Sequence, residues 1–231
     1  MLILLIRPPS STPVAVPGTK VTNIGPGITQ PAGVTPTQAP QPTPTSPPTI
    51  GTILCQADSS VGWNGWAGSP DWKVLNGMLL DDGTNSNGEG GQPTIVAPCQ
   101  LRGVANYAVE VRMQVVSHGY NACFGINARG TTPSNGWQGY IGVIYFGCGP
   151  PEPSLAIDAD SSGNDLTRIP FDAGTNIHTY RIEVKDNNIR FLVDGAQIVA
   201  VTDNKYLTGE QVGLWSYESQ LEVNSFEVIA L

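Results

Sequence analysis

The chain has 231 residues, with 27 Gly, 20 Pro and a formal net charge of -8 at pH 7. That length holds one large β-domain or two small ones, and a composition rich in Gly and Pro but poor in charge suits short strands and turns better than helices. Every Asp and Glu lies beyond residue 50, and an acidic domain with no basic stripe argues against nucleic acid and anionic membrane surfaces as partners.

Residues 1–6 are apolar and Arg7 follows them. Six apolar residues fall short of the ~20 needed to cross a bilayer. The order is also wrong for a signal peptide, whose basic flank comes first. Two readings stay open: a short apolar terminus, or residues 1–7 as the end of a transmembrane segment that is incomplete in this chain, with Arg7 at the boundary. Such an anchor is the one expected link to a membrane. The first 50 residues hold 12 of the 20 prolines and no aromatic residue. Burial there cannot offset the ordering of the backbone, at roughly 1–2 kcal/mol per residue. Residues 8–49 therefore read as a disordered, semi-rigid Pro/Thr-rich linker of the kind found on exported stalks.

Residues 50–231 read as the folded domain. Residues 73–75 and 78–80 flank Asn76-Gly77, a strong hairpin signal. Residues 81–92 form a polar loop, and 94–96 a short strand. In residues 107–116, Tyr107, Val109, Val111 and Met113 share one face. Residues 122–129 and 139–146 suggest a hairpin around Asn135-Gly136, and 154–158 and 166–171 are shorter strands. Residues 179–200 form a meander with turns at Asp186-Asn187 and Asp194-Gly195. The first turn places Val184, Ile182 and Tyr180 opposite Ile189, Phe191 and Val193. The second places Phe191 opposite Ile198 and Ile189 opposite Ala200. Both registers share one apolar face, and a one-residue slip would turn it to water. Residues 212–216 and 221–229 close the domain. About twelve strands without an amphipathic helix imply an all-β, two-sheet antiparallel sandwich.

Four cysteines allow three pairings. Cys123 and Cys148 are equidistant from Asn135-Gly136, so a hairpin there brings them opposite each other. The expected bridges are Cys123–Cys148 and Cys55–Cys99, and they imply an oxidising location outside the cytoplasm. The alternative is four reduced, buried thiols.

The order of strand, Asn-Gly, strand, then GINAR, then YRIEV, IRFLVDG and VGLW resembles the concanavalin A-like lectin/glucanase superfamily. It is most similar to bacterial laminin-G-like and keto-disaccharide-hydrolase-like members. The resemblance spans roughly residues 53–231 and rests on residues 72–79, 107–113, 124–129, 140–145 and 180–215. It implies a jelly roll of two curved antiparallel sheets, in which glycan binding or cleavage is common.

Catalysis in the glucanase branch needs carboxylates spaced as Glu-x-Asp-x-x-Glu on one strand, and no such run occurs. Asp158 and Asp160 are the nearest local pair. Glu110 stands alone, and Glu183 faces Arg190 as a surface contact. His118 and His178 lack a partner motif. Asp158, Asp160 and Asp165 resemble the opening of a calcium loop, against the simpler reading of a solvated turn; residues 81–89 are a sparser version. No other cofactor is expected. Trp63, Trp66 and Trp137 lie in loop-like stretches and are candidate stacking platforms for sugars, unless they cap the sandwich ends. Arg129 and Tyr140 could add polar contacts, or support the fold. Trp72 and Trp215 read as core. The expectation is an extracellular or cell-surface, non-catalytic module that binds a glycan or surface polymer. A divergent hydrolase of the same fold and an adhesion spacer are the alternatives.

Overall fold

The computed structural model describes residues 48–84, 94–131, 137–149 and 152–231. The linker, the apolar terminus and the Asn135-Gly136 turn lie outside the described residues, as does most of the 81–92 loop. The described residues form thirteen β-strands and no helix. In chain order these are β1 (Ile53–Asp58), β2 (Ala67–Gly68), β3 (Trp72–Leu75), β4 (Met78–Asp82), β5 (Thr94–Val96), β6 (Tyr107–Thr131) and β7 (Gln138–Tyr145). They continue with β8 (Ser154–Ala159), β9 (Asp165–Pro170), β10 (Ile177–Lys185), β11 (Asn188–Val193), β12 (Ala196–Thr202) and β13 (Gln211–Ala230).

Two of these strands are longer than the sequence pattern suggested. Residues 107–116 and 122–129 belong to one 25-residue strand, β6, and 212–216 and 221–229 to one 20-residue strand, β13. The polar run from Ser117 to Asn121 interrupts the apolar alternation without ending the ladder. Ser219 still pairs with His118, and the ladder absorbs the irregularity as a register shift beside Glu218, whose φ is 50°. An extra residue of this kind bends a strand pair and raises its twist.

The bend folds one antiparallel sheet into two layers. In the first, β12-β11-β10 continues through the first half of β6 and the second half of β13 to β1, β4 and β3. In the second, β9-β8-β7 continues through the second half of β6 and the first half of β13 to β5 and β2. The layers meet face to face, with β8 against β11 and β12. At Gly142 the approach is close, since an added Cβ would lie 3.0 Å from the Phe191 ring. The enclosed core takes Tyr107, Val109, Val111 and Met113 from β6, as expected, together with Phe191 and Phe226.

The meander follows the expected register across its first turn. Across the second it holds only near the turn, where Val193 pairs with Ala196 and Leu192 with Gln197. A bulge between Phe191 and Leu192 then shifts the ladder by one residue, so Phe191 faces Val199 and Ile189 faces Val201. The bulge buries Val199 and leaves Ala200 exposed. Glu183 does pair with Arg190, and Arg181 Nε adds a second bond at 2.8 Å.

Both expected disulfides are present, Cys55–Cys99 and Cys123–Cys148. The route to the second differs from the hairpin argument. The residue opposite Cys123 is Tyr145. Cys148 returns through bends at residues 146–149, anchored where Phe146 N donates to Ala122 O at 2.9 Å.

Two buried polar groups organise the ends of the core. Arg129, 1% exposed, takes a φ of 48° at a bulge in β6. Its Nε and one terminal nitrogen donate to Ala105 O at 3.0 and 2.7 Å. The other terminal nitrogen donates to Asp186 O at 2.6 Å and Tyr206 O at 3.2 Å. One guanidinium thus ties three connecting segments together. Asp81, also 1% exposed, accepts from the Ser216 hydroxyl and from Gly83 N at 2.8 Å. Burial pushes its carboxyl up from 3.8 to about 6.

Removing the guanidinium strands three carbonyls, so Arg129→Met is expected to cost about 3–5 kcal/mol in urea denaturation, and Arg129→Lys to recover only part of that loss. Asp81 gives a pH signature. The fold prefers its protonated form, so that contribution is full below about 3.8 and is lost as pH rises through about 6. Relative to Asp81→Asn, the wild-type domain should lose up to about 3 kcal/mol between pH 4 and pH 7. Parallel denaturation curves of the two proteins check this.

Candidate functional site: an aromatic cavity on the outer face of the β7–β8 layer

Strand alternation gives the second layer two apolar faces. Tyr140 and Ile144 of β7, Leu155 and Ile157 of β8 and Leu214 of β13 point into the core. Ile141, Val143, Tyr145, Ala156 and Trp215 alternate with them and form a second cluster on the outside with Cys123 and Trp137. Asp158 and Tyr217 continue this outer face by the same period of two.

Glycines of β6 make room for the indoles. A Cβ at Gly125 would lie 2.1 Å from Trp215 Nε1, and one at Gly130 would lie 1.8 Å from the Trp137 ring. Both rings therefore lie directly on the backbone. A glycine weakens a strand by itself, and here the covering ring supplies the missing packing.

Beside Trp215 is a cavity of about 340 Å³, lined by Tyr145, Asp158, Arg168, Trp215, Tyr217 and the Cys123–Cys148 bridge. This is the small end of the range for small-molecule sites. The Arg168 guanidinium lies 4.0 Å above the Tyr145 ring. One terminal nitrogen donates to Ser154 Oγ at 2.9 Å, the other to Asp165 Oδ1 at 2.6 Å, and Nε to Asp165 Oδ2. The clamped Tyr145 hydroxyl donates to Asp158 Oδ2 at 2.6 Å. Asp158 Oδ1 and Trp215 Nε1 are buried without a hydrogen-bond partner. Burial pushes the Asp158 carboxyl up to about 7, with Asp165 adding to the rise. Burial likewise pushes the Tyr145 phenol well above its usual range, so that it stays a donor.

The residues singled out from sequence fall elsewhere, apart from two carboxylates. Trp63 is 5% exposed and donates its Nε1 to Gly77 O at 2.9 Å. It packs on Trp66, which meets Phe226 edge-on at 4.8 Å, so both indoles seal the main core. Trp137 shares the outer face but is 4% exposed. The expected exposure of Trp63 and Trp137 as stacking platforms is thus corrected, while Trp66 is half-buried: an indole in a Gly-rich stretch is covered by whatever apolar surface it can reach. Arg129 is the internal clamp described above. Tyr140 is buried, donating to Asp203 Oδ1 at 2.7 Å and accepting from Tyr206 N at 3.1 Å.

Each of the three carboxylates of the calcium-like loop has a protein partner, and Asp158 and Asp165 also meet each other across β8 and β9. Asp158 bonds Tyr145, Asp160 takes Lys205 Nζ at 2.5 Å, and Asp165 takes Arg168. Among the described residues no group of three His, Cys, Asp or Glu side chains could hold a metal ion. Asp158 and Asp160 do line the cavity. Asp160 is engaged by Lys205 and Ser162, and Asp158 by Tyr145 and the neighbouring Asp165 carboxyl.

Trp215, read from sequence as core, is buried as expected and also borders the cavity, whereas Tyr145, Tyr217 and Arg168 had not been singled out. The signal was the alternation itself. Trp215 and Tyr217 are out of phase with Leu214, and Tyr145 with Ile144, so they had to face away from the core.

The Gly125 packing is testable. In Gly125→Ala, the methyl must displace Trp215 or Ile141, at an expected cost of about 1–3 kcal/mol. The near-ultraviolet circular dichroism and tryptophan fluorescence should change while the far-ultraviolet β spectrum is retained.

No protein-family model matches the chain, and no curated protein matches it in sequence. Solved structures do match. One is the carbohydrate binding module CBM66 from Bacillus subtilis, 12% identical, covering 72% of this chain and 96% of that one with a TM-score of 0.56. A second is the exoplasmic/lumenal domain of VIP36 in its Ca2+/Man3GlcNAc-bound form, 11% identical, covering 79% and 91% with a TM-score of 0.56. A third is the Crh5 transglycosylase in complex with NAG, 13% identical, covering 79% and 87% with a TM-score of 0.51. The two-layer architecture of this chain is the concanavalin A-like lectin/glucanase fold.

Proposed function

We propose that the domain is an extracellular, non-catalytic saccharide-binding module whose site is the cavity beside Trp215. The observation that carries this reading is the cavity of about 340 Å³ whose lining combines the rings of Tyr145, Trp215 and Tyr217 with Asp158, Asp160 and Arg168. Sugar C–H faces pack on aromatic rings and sugar hydroxyls both donate and accept, which fits a wall that mixes rings with charged groups. Similar structures include a carbohydrate binding module and a domain bound to Man3GlcNAc, which supports the reading. Two disulfides fit an oxidising compartment. Residues 8–49 serve as the Pro/Thr-rich linker of the module. Turnover is disfavoured because Asp160, the other carboxylate lining the cavity, is already engaged by Lys205.

One shallow site of this size gives an affinity of about -4 to -8 kcal/mol, millimolar to micromolar. On a glycan array followed by calorimetry, Trp215→Ala and Tyr217→Ala should each weaken binding about tenfold or more. Trp63→Phe should leave affinity unchanged and lower the melting temperature. A chain that binds no glycan defeats the proposal. Release of reducing ends that disappears in Asp158→Asn would identify a hydrolase of the same fold instead.

A further inference from the structure

We infer that Asp158 and Asp165 share one proton across β8 and β9, and that this carboxyl pair is an acid-operated latch holding the turn of the β8–β9 hairpin in place as a wall of the cavity. The inference concerns the protein's own contacts and does not depend on the ligand being a saccharide.

The two residues stand opposite each other in the β8–β9 ladder, so their side chains leave the sheet on one face. Both oxygens of Asp165 accept from Arg168, Oδ1 at 2.6 Å from a terminal nitrogen and Oδ2 from Nε. Asp158 Oδ2 accepts from the Tyr145 hydroxyl at 2.6 Å. Asp158 Oδ1 is buried and meets no N–H or O–H donor among the described residues. What the Asp158 carboxyl does meet is the carboxyl of Asp165, itself an acceptor. Two carboxyl groups lie together in a buried place only when one of them carries a proton. A protonated Asp158 donates from Oδ1 to Asp165 and still accepts at Oδ2 from Tyr145, so a single proton satisfies the pair. Asp165 remains the carboxylate of the Arg168 ion pair.

The pair sits where the hairpin turns beside the cavity. Among the described strands β9 pairs with β8 alone, and Asp160, Ser161 and Gly163 of the turn line the cavity with Asp158. Loss of the proton to water leaves two anions against the one guanidinium of Arg168. The other groups around the pair do not take over its role. Burial keeps the Tyr145 phenol of β7 protonated. Against burial, Lys205 and Ser162 hold the Asp160 carboxyl at about 2, so it stays charged throughout. Tyr217 of β13 is the other ionisable side chain on the wall among the described residues. The repulsion is relieved when the turn end of β9 lifts and water reaches Asp158. In the closed hairpin, burial and the Asp165 carboxyl raise Asp158 to about 7, and in an open one it returns to the ordinary 3.8. The advantage of the closed form is therefore full below about 3.8, declines as pH rises, and is lost above about 7.

The test is hydrogen exchange of the full chain from pH 5 to pH 8, each rate divided by that of an unstructured peptide at the same pH. A chelator is present throughout, so that no metal ion holds the carboxylates. Protection of the β9 amides should fall about tenfold or more over that range, while protection of β11 holds. Asp81 titrates in the same range, so the fall at β9 should also appear in Asp81→Asn. Asp158→Asn keeps a donor toward Asp165 and an acceptor toward Tyr145 without titrating, and should leave β9 protected at every pH. Carboxyl carbon spectra of the wild-type chain, labelled at aspartate and assigned from the backbone, give a readout that needs no variant. The Asp158 and Asp165 signals should shift together near neutrality. An Asp158 signal that moves only in the ordinary carboxylate range overturns the shared proton. Protection of β9 that is flat with pH in the wild-type chain, or falls as steeply in Asp158→Asn, overturns the latch. A fall shared equally by β11 is unfolding of the whole domain and overturns it as well.

Discussion

The pairing of β6 with β13 is the constraint on which the rest of the molecule depends. It runs through both layers, from Ala230↔Tyr107 to Gln211↔Gly130. Each of its halves recruits different neighbours, so every strand is connected to this one ladder. Because side chains alternate along it, a single register assigns Phe124, Ile126 and Leu214 to the core and Cys123, Gly125 and Trp215 to the outer face. A slip by one residue would exchange the core with the outer face, and neither exchanged set would fit. Fold and site are specified by the same alternation.

Polar groups close what the ladder leaves open. Strand ends and connections carry carbonyls that no neighbouring strand can satisfy. Arg129 answers for three such segments with one planar group. It can do so because β6 bulges there and Gly209 lets a second backbone pass close by, where a Cβ would meet Arg129 O at 2.2 Å. The guanidinium is compensated by backbone carbonyl dipoles rather than by a carboxylate, with Nε and both terminal nitrogens donating to them. On the outer face of the first layer, Glu183 uses the other solution, accepting from Arg181 and forming an ion pair with Arg190.

Much of the fold was legible in the sequence because turn chemistry and alternation are local. Asn76-Gly77, Asp186-Asn187 and Asp194-Gly195 fall at turns, and the apolar face of residues 107–113 is core. What escaped was non-local. The bulge at Phe191/Leu192 has no residue signature, since neither side chain requires it. The continuity of β6 through Ser117–Asn121 depends on its partner β13, which no local pattern reports. The site was read from residue type, with tryptophans in Gly-rich stretches taken as exposed. Gly-rich stretches let the chain fold back, and Trp63 and Trp66 were drawn onto the core through Phe226.

The same glycines explain why an aromatic cavity is compatible with a stable sheet. A binding surface of exposed rings would leave apolar area in water and invite association. Here Trp215 lies against Gly125, and Tyr145 beneath the Arg168 guanidinium. Each ring gives one face to the protein, leaving an edge or part of a face for a ligand. The aromatic wall therefore contributes to stability when empty, and its rotamers are set before any ligand arrives. Groups fixed in this way need no ordering when a ligand enters, which reduces the entropic cost of binding. The charged groups beside the rings are held as well, Asp160 by Lys205 and Asp158 by Tyr145. Rings and charges alike are fixed by the protein's own contacts, so the shape of the cavity is set by the same ladder that sets the fold.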